Sequence, residues 1–175
     1  MLATSPGCPI WLLDVDGVLN ANRPGWSERP RQAIAYAAGE PFKMRWSSTL
    51  LTTIRTLHTS GRVELRWCTT WCPWVDQLEK IFGLPPLVRS VPVSEVRDGD
   101  AWREAKHCAA LDALREGRPL IWTDDEAIPT SGTTFELLRN ADVPTLLIAP
   151  RSNRGLQPEH LSQIETFLDQ NLPDI

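Results

Sequence analysis

Two acidic pairs stand directly behind short strand-like runs, and this arrangement limits the fold more than any other feature of the chain. Pro9 to Leu13 is continuously apolar and leads straight into Asp14-Val15-Asp16-Gly17, and Pro119 to Thr123 leads in the same way into Asp124-Asp125. A short apolar run without alternation is how a strand buried on both faces reads, and such strands belong to parallel sheets covered by helices.

The remaining segments alternate accordingly. After the first strand, the stretch from Asn20 to Lys43 carries Pro24, Gly25, Pro30, Gly39 and Pro41 and reads as an ordered loop or small flap. Trp46, Leu50, Ile54 and Leu57 recur at helical spacing, and Gly61 closes that helix. Val63 to Cys68 is a second strand. Val75, Leu78, Ile81 and Phe82 mark a short helix stopped by Gly83, and Leu87 to Val93 supplies a third strand. Asp100 is the expected N-cap of a helix through Glu116, with Trp102, Ala105, Ala109 and Leu114 facing inward. Pro119 to Thr123 is the fourth strand and Thr145 to Ala149 the fifth, with a brief helix around Phe135 to Arg139 between them. Pro158 opens a last helix carrying Leu161, Ile164 and Leu168. The expected fold is α/β, a three-layer doubly wound parallel sheet with right-handed crossovers, forming one domain over residues 1–175.

Composition narrows the function. With 42% hydrophobic residues, 175 residues can bury a core without disulfides. A net charge of -4 and the lack of a long basic run speak against bulk attraction to nucleic acid or a membrane surface, so any anion recognition must be local. No apolar stretch approaches the ~20 residues of a spanning helix. Cys8, Cys68, Cys72 and Cys108 show no paired C-x-x-C spacing, and no signal peptide is readable. A soluble cytoplasmic protein with no membrane association and no obligate protein partner is expected.

In sheets of this kind the ligand crevice lies outside the carboxyl ends of the strands. Asp14 and Asp16, Thr69 and Thr70, and Asp124 and Asp125 all follow predicted strands and so converge on one edge. Carboxylates gathered in this way repel one another unless a cation joins them, and an all-oxygen set suits Mg2+ rather than zinc. The expected metal residues are Asp14, Asp16, Asp124 and Asp125. Asp14 is placed to attack phosphorus, forming an aspartyl-phosphate that splits one hard displacement into two easier ones. Two residues on, Asp16 can protonate the leaving group and then deprotonate water. Asp125 completes the metal shell, with Asp124 beside it holding a metal-bound water or a lysine. Thr69 and Lys106 are the candidates for binding and neutralising the phosphoryl oxygens, with Thr70 and Arg103 as the respective rivals. Gly17 lets the backbone approach the phosphate. Trp26 and Trp71, with Arg23, Arg29 and Arg31, and with Arg151 and Arg154, flank the crevice and can stack on a base or grip a phosphate backbone. Trp11, Trp67 and Trp122 are read as core. His58, His107 and His160 lack companion ligands at metal spacing.

The segments WLLDVDGVLN and ELRWCTTW, then Lys106 on a helix, then PLIWTDD resemble, in order, the four motifs of the haloacid dehalogenase (HAD) superfamily. The resemblance implies Asp14 as nucleophile, Asp16 as general acid and base, Thr69 on phosphate, Lys106 neutralising charge, and Asp124 and Asp125 on Mg2+. It also implies the strand order five, four, one, two, three. Large caps in that superfamily enter after strand one or between strand three and the motif-three helix. Here only Asn20 to Lys43 can serve the first, and Leu84 to Gly99 is too short for the second, so an open site with a minimal cap is expected. The TTW, RPLIWTDDE and GLQPEH segments resemble more narrowly a bacterial branch named for RNA-repair proteins. The expected activity is a phosphomonoesterase acting on phosphate ends of nucleic acids or nucleotides. The alternatives are a phosphoprotein or small-metabolite phosphatase, a phosphotransferase, or a non-catalytic phospho-acceptor module.

Overall fold

Ile10 to Leu13 offers water no polar side chain, and β1 (Ile10–Leu13) accordingly takes the centre of the sheet with all four residues buried. The computed structural model describes residues 7–92 and 101–172. β1 pairs in parallel with β4 (Glu64–Trp67) on one side and β6 (Leu120–Thr123) on the other, with Leu13 opposite both Trp67 and Thr123. β5 (Val88–Arg89) lies beyond β4, and β7 (Thr145–Ile148) lies beyond β6. Numbered among these five parallel strands alone, the order read from the β7 edge is five, four, one, two, three, as the resemblance implies.

Around the sheet run α1 (Ser48–Thr59), α2 (Val75–Phe82), α3 (Ala101–Arg115), α4 (Gly132–Arg139) and α5 (Pro158–Asn171). α3 meets β6 and α5 meets β7. Trp11, Trp67 and Trp122 are fully buried in the three inner strands, as expected of large apolar rings in a sheet covered on both faces. The Trp11 indole N–H also donates to the Thr123 hydroxyl at 2.9 Å, tying β1 to β6. The third strand is shorter than expected, and Val93 and the Asp100 cap lie outside the described residues.

The stretch read as a loop or flap holds regular structure. β2 (Arg31–Ala37) and β3 (Glu40–Trp46) form an antiparallel hairpin, with Ala35 opposite Phe42 and Ala33 opposite Met44. Ala38 and Gly39 link them, both at positive φ (51° and 86°), which is the condition for the tight turn that matches strand twist. Trp46 belongs to β3, not to the following helix. Its helical spacing from Leu50 is coincidental, because Ser47 between them is extended and caps α1 by accepting from the Leu50 N–H at 3.1 Å. The hairpin is anchored along both edges. Gln77 of α2 accepts from the Tyr36 N–H at 2.7 Å and donates to the Tyr36 carbonyl at 2.6 Å, as a neighbouring strand would. Along β3, the Arg45 N–H donates to Asn20 Oδ1 at 2.8 Å and the Ala21 N–H to the Arg45 carbonyl at 3.0 Å.

The start of α1 carries a second lock. The Glu28 carboxylate accepts from Ser47 Oγ at 2.5 Å, Ser48 Oγ at 2.9 Å and the Thr49 N–H at 2.8 Å. A negative charge at a helix N-terminus is favoured both by the free N–H groups and by the dipole. The Ser47 hydroxyl first, and then the Thr49 amide, hold the Glu28 carboxyl down at about 2, below its ordinary 4.5. A depressed carboxyl stabilises the fold fully above its unfolded value and loses that contribution as the folded group is protonated. The Glu28 contribution is therefore present above pH 4.5 and fades as the pH falls toward 2. Glu28→Gln is expected to unfold at higher pH than the parent in an acid titration followed by circular dichroism, with the difference shrinking below about pH 2. Coincident acid transitions would refute the lock.

Candidate active site

Because β1, β4 and β6 end in register, the residues after them emerge at one edge. The Asp14 N–H donates to the Thr123 carbonyl at 3.2 Å, the Cys68 N–H to the Leu13 carbonyl at 3.0 Å and the Asp124 N–H to the Ile148 carbonyl at 3.2 Å. Asp14 is 6% exposed, Thr69 and Asp124 are fully buried, and Lys106 of α3 is 2% exposed.

A buried ammonium must be paired, and Lys106 is paired twice: its Nζ donates to Asp14 Oδ2 at 2.7 Å and to Asp124 Oδ2 at 2.6 Å. The other oxygen of each carboxylate is held by backbone. Asp14 Oδ1 accepts from the Val15 N–H at 2.7 Å, and Asp124 Oδ1 accepts from the N–H groups of Glu126 and Ala127 at 3.0 and 2.7 Å. Asp125 is half-buried, with the Ser152 hydroxyl near its carboxylate. One carboxylate oxygen from each of Asp14, Asp124 and Asp125 lies within 4.8 Å of the others.

Burial pushes the Asp14 carboxyl up to about 7, with Asp124 adding to the rise and Lys106 and the Thr69 hydroxyl opposing it. For Lys106 burial acts downward, and Asp14 and Asp124 more than reverse it, holding the ammonium above the ordinary lysine range. Burial likewise raises Asp125 against the Ser152 hydroxyl, and Asp124 and Glu126 add to the rise. When ionised, the three carboxylates exceed the one ammonium among them by two charges. A hard divalent cation matches both that excess and the all-oxygen donor set.

Asp16 stands apart from this cluster. Its carboxylate is exposed at the edge of the crevice, with Oδ1 accepting from Asn20 Nδ2 at 2.7 Å and Oδ2 from the Trp71 indole N–H at 2.8 Å. Three of the four expected metal carboxylates are thus brought together, and Asp16 is held separately in a fixed direction.

A crevice of about 270 Å³ opens over these groups, bounded by Asp14, Asp16, Lys106 and Asp125, with Thr70, Trp102 and Glu126 completing its wall. The two threonines divide. Thr69 lies beneath the surface beside Asp14, its hydroxyl accepting from the Trp71 N–H at 3.2 Å, while Thr70 lines the crevice. Lys106, and not Arg103, is the cation at the carboxylates; Arg103 sits over the Trp102 ring at 4.8 Å.

The remaining substrate-binding candidates are placed as follows. At Gly17 a Cβ would lie 2.1 Å from Asp125 Oδ2 and the φ of +69° suits glycine, so the missing side chain makes room for Asp125, and the Gly17 N–H donates to the Asn20 carbonyl at 2.9 Å. Trp26 is absent from the crevice wall, because its indole N–H donates to the Leu156 carbonyl at 2.9 Å and its ring packs on the core. Arg23 is fixed through its backbone to Asn153 and does not line the crevice either. Arg29 and Arg31 border a separate hollow beside Glu28 and Ser48.

Asn20, Trp102 and Glu126 are site residues that the sequence reading passed over. Asn20 carried a signal, an amide four residues after Asp16 in the same segment. Trp102 carried another, since it lies one helical turn before Lys106 and therefore on its face; its ring is 5.1 Å from Lys106 Nζ.

A parallel α/β sheet whose central strand ends in an aspartate, paired to a buried lysine and facing a second acidic pair, defines a hydrolase domain of the HAD superfamily. The chain belongs to the family described as the HAD domain in Swiss Army Knife RNA repair proteins, whose family model matches residues 10–161. No curated protein and no solved structure gave a match.

Proposed function

We propose that this domain is a Mg2+-dependent phosphomonoesterase that works through an aspartyl-phosphate on phosphate ends of nucleic acids. The observation that carries the proposal is the single constellation at the sheet edge: Asp14 locked between Lys106 and the Val15 N–H, with Asp16 two residues on, held by Asn20 and Trp71. The family described for RNA repair proteins supports the choice of substrate.

Asp14 and Asp125 are the direct metal residues in this reading. Asp124, whose oxygens already meet Lys106 and two backbone N–H groups, supports them from behind. Magnesium bound there supplies positive charge to the phosphoryl oxygens. An Asp14 oxygen forms a bond to phosphorus while the bond from phosphorus to the leaving oxygen breaks, and Asp16 gives that oxygen its proton. Water then attacks the aspartyl-phosphate and passes a proton to Asp16, releasing inorganic phosphate and restoring the Asp14 carboxylate. Lys106 and the Thr70 hydroxyl lie where the transferred group's charge develops, and the buried position of Lys106 strengthens its effect. The indole N–H of Trp71 keeps Asp16 aimed at the leaving oxygen.

The test is hydrolysis with Mg2+ of 3′- and 5′-phosphorylated oligonucleotides, mononucleotides, sugar phosphates and phosphopeptides. Oligonucleotide ends are expected to give the highest kcat/KM, and a chelator is expected to abolish turnover. Activity confined to small sugar phosphates would overturn the substrate assignment, and full activity in chelator would overturn the metal.

A further inference from the structure

A second hollow, of about 260 Å³, adjoins the crevice and shares Asp16 and Thr70 with it. Its other walls are Ala37, Phe42, Trp71 and Trp74. We propose that this hollow is a base-binding subsite, taking the nucleobase of the nucleotide that carries the scissile phosphate. The inference rests on the phosphomonoesterase reading above and assigns the part of the substrate which that reading leaves open.

Placement is the first reason. The phosphoryl group belongs with Asp14, Lys106 and Asp125, and the leaving oxygen must lie within reach of the acid on Asp16. Whatever hangs from that oxygen extends past Asp16, away from the acidic cluster. The second hollow begins there, because the Trp71 indole N–H is 2.8 Å from Asp16 Oδ2.

Chemistry is the second. The rings of Phe42 and Trp71 lie edge to face with centroids 5.4 Å apart, and those of Trp71 and Trp74 do so at 6.3 Å. Apart from Asp16 at its mouth, the hollow has no charged side chain. It suits a flat, uncharged, aromatic group, and bases stack on such platforms whatever their sequence. Phe42 is 46% exposed and Trp74 half-buried, so these two rings, backed by the buried Trp71, offer the surface to a planar ligand.

Rigidity is the third. Phe42 and Ala37 reach the hollow from the hairpin, which Gln77 holds on one edge and Asn20 and Ala21 on the other. Walls already fixed lose little freedom when a ligand enters. The hairpin therefore acts as a small cap that supplies one wall of a specificity pocket while leaving the crevice open above Asp14.

The test compares kcat/KM for oligonucleotides whose phosphorylated terminal nucleotide either carries its base or is abasic, at 3′ and at 5′ ends. The wild type is expected to favour the base-bearing end by roughly tenfold, mostly through KM, and Phe42→Ala and Trp74→Ala are each expected to move that ratio toward one. A ratio of one in the wild type, or a ratio unchanged in both variants, overturns the subsite even if phosphatase activity is strong. Preference for a phosphotyrosine peptide over either oligonucleotide overturns it as well, since the hollow would then serve a protein side chain. A binding arm needs no turnover: in Asp14→Asn, a nucleoside monophosphate is expected to quench tryptophan fluorescence at roughly tenfold lower concentration than ribose phosphate, and Phe42→Ala to remove that advantage. If this preference is present while no phosphomonoester is hydrolysed by the wild type, the phosphomonoesterase reading falls and the subsite stands.

Discussion

Asp14→Asn is expected to lower phosphate release by about ten-thousandfold or more, because the first bond to phosphorus would have no nucleophile. The substitution keeps shape and one hydrogen-bond acceptor, so the Val15 N–H retains its partner and Lys106 keeps Asp124. Burial also opposes the charge on Asp14, and replacing the carboxylate by a neutral amide removes that penalty. The folded protein is therefore expected to melt within a few degrees of the parent, which separates a lost reaction from a lost fold. Metal-dependent hydrolysis above a hundredth of the parental rate in a well-folded Asp14→Asn protein would sink the mechanism.

Lys106→Met should show the opposite balance, with a large loss of stability accompanying the loss of activity. Methionine fills a similar volume but leaves Asp14 and Asp124 buried beside one another with no cation between them. Removing one partner of a buried ionic set costs about 3–5 kcal/mol. For a chain of this length that corresponds to a fall in Tm of roughly 6–20 °C. The comparison is made in chelator and repeated with Mg2+. In the variant the cation is expected to restore more stability than it adds to the parent, since it would bring back the positive charge that Lys106 supplied between Asp14 and Asp124. An unchanged Tm in chelator would show that Lys106 does not hold the carboxylates together.

The sheet and the acidic edge were legible because both follow from one property, strands that cannot face water. In β1 and β6 every residue is buried, so the apolar runs stood out and the aspartates behind them fell at the strand ends by necessity. The β2–β3 hairpin was illegible for the inverse reason. The face it buries carries Ala35 beside Met44, while Ile34 and Tyr36 on the other face are exposed, so hydrophobicity marked both faces and left no alternation to read. Its turn uses Ala38-Gly39, not the Asn-Gly or Asp-Gly that usually announces such a link. Within the site, residue types were readable and directions were not. Whether Asp124 or Asp125 meets the lysine depends on the chain turning after β6, where the N–H groups of Glu126 and Ala127 capture Asp124. The same holds for Thr69 and Thr70, adjacent and chemically alike, of which one points under Asp14 and the other into the crevice. Trp26 and Trp71 looked equivalent from sequence, and only their indole partners separate them: a backbone carbonyl for one and Asp16 for the other.

The bond from Trp11 to Thr123 spans 112 positions of sequence, and it lies inside the strand pair that delivers Asp14 and Asp124. During synthesis the nucleophile is thus made early and its partners on β6 late. Pairing across so long a chain segment is intrinsically slow. Until the later strand arrives, Asp14 has neither Asp124 nor Asp125 beside it. The acidic cluster is therefore complete only once β6 has joined β1 in the sheet.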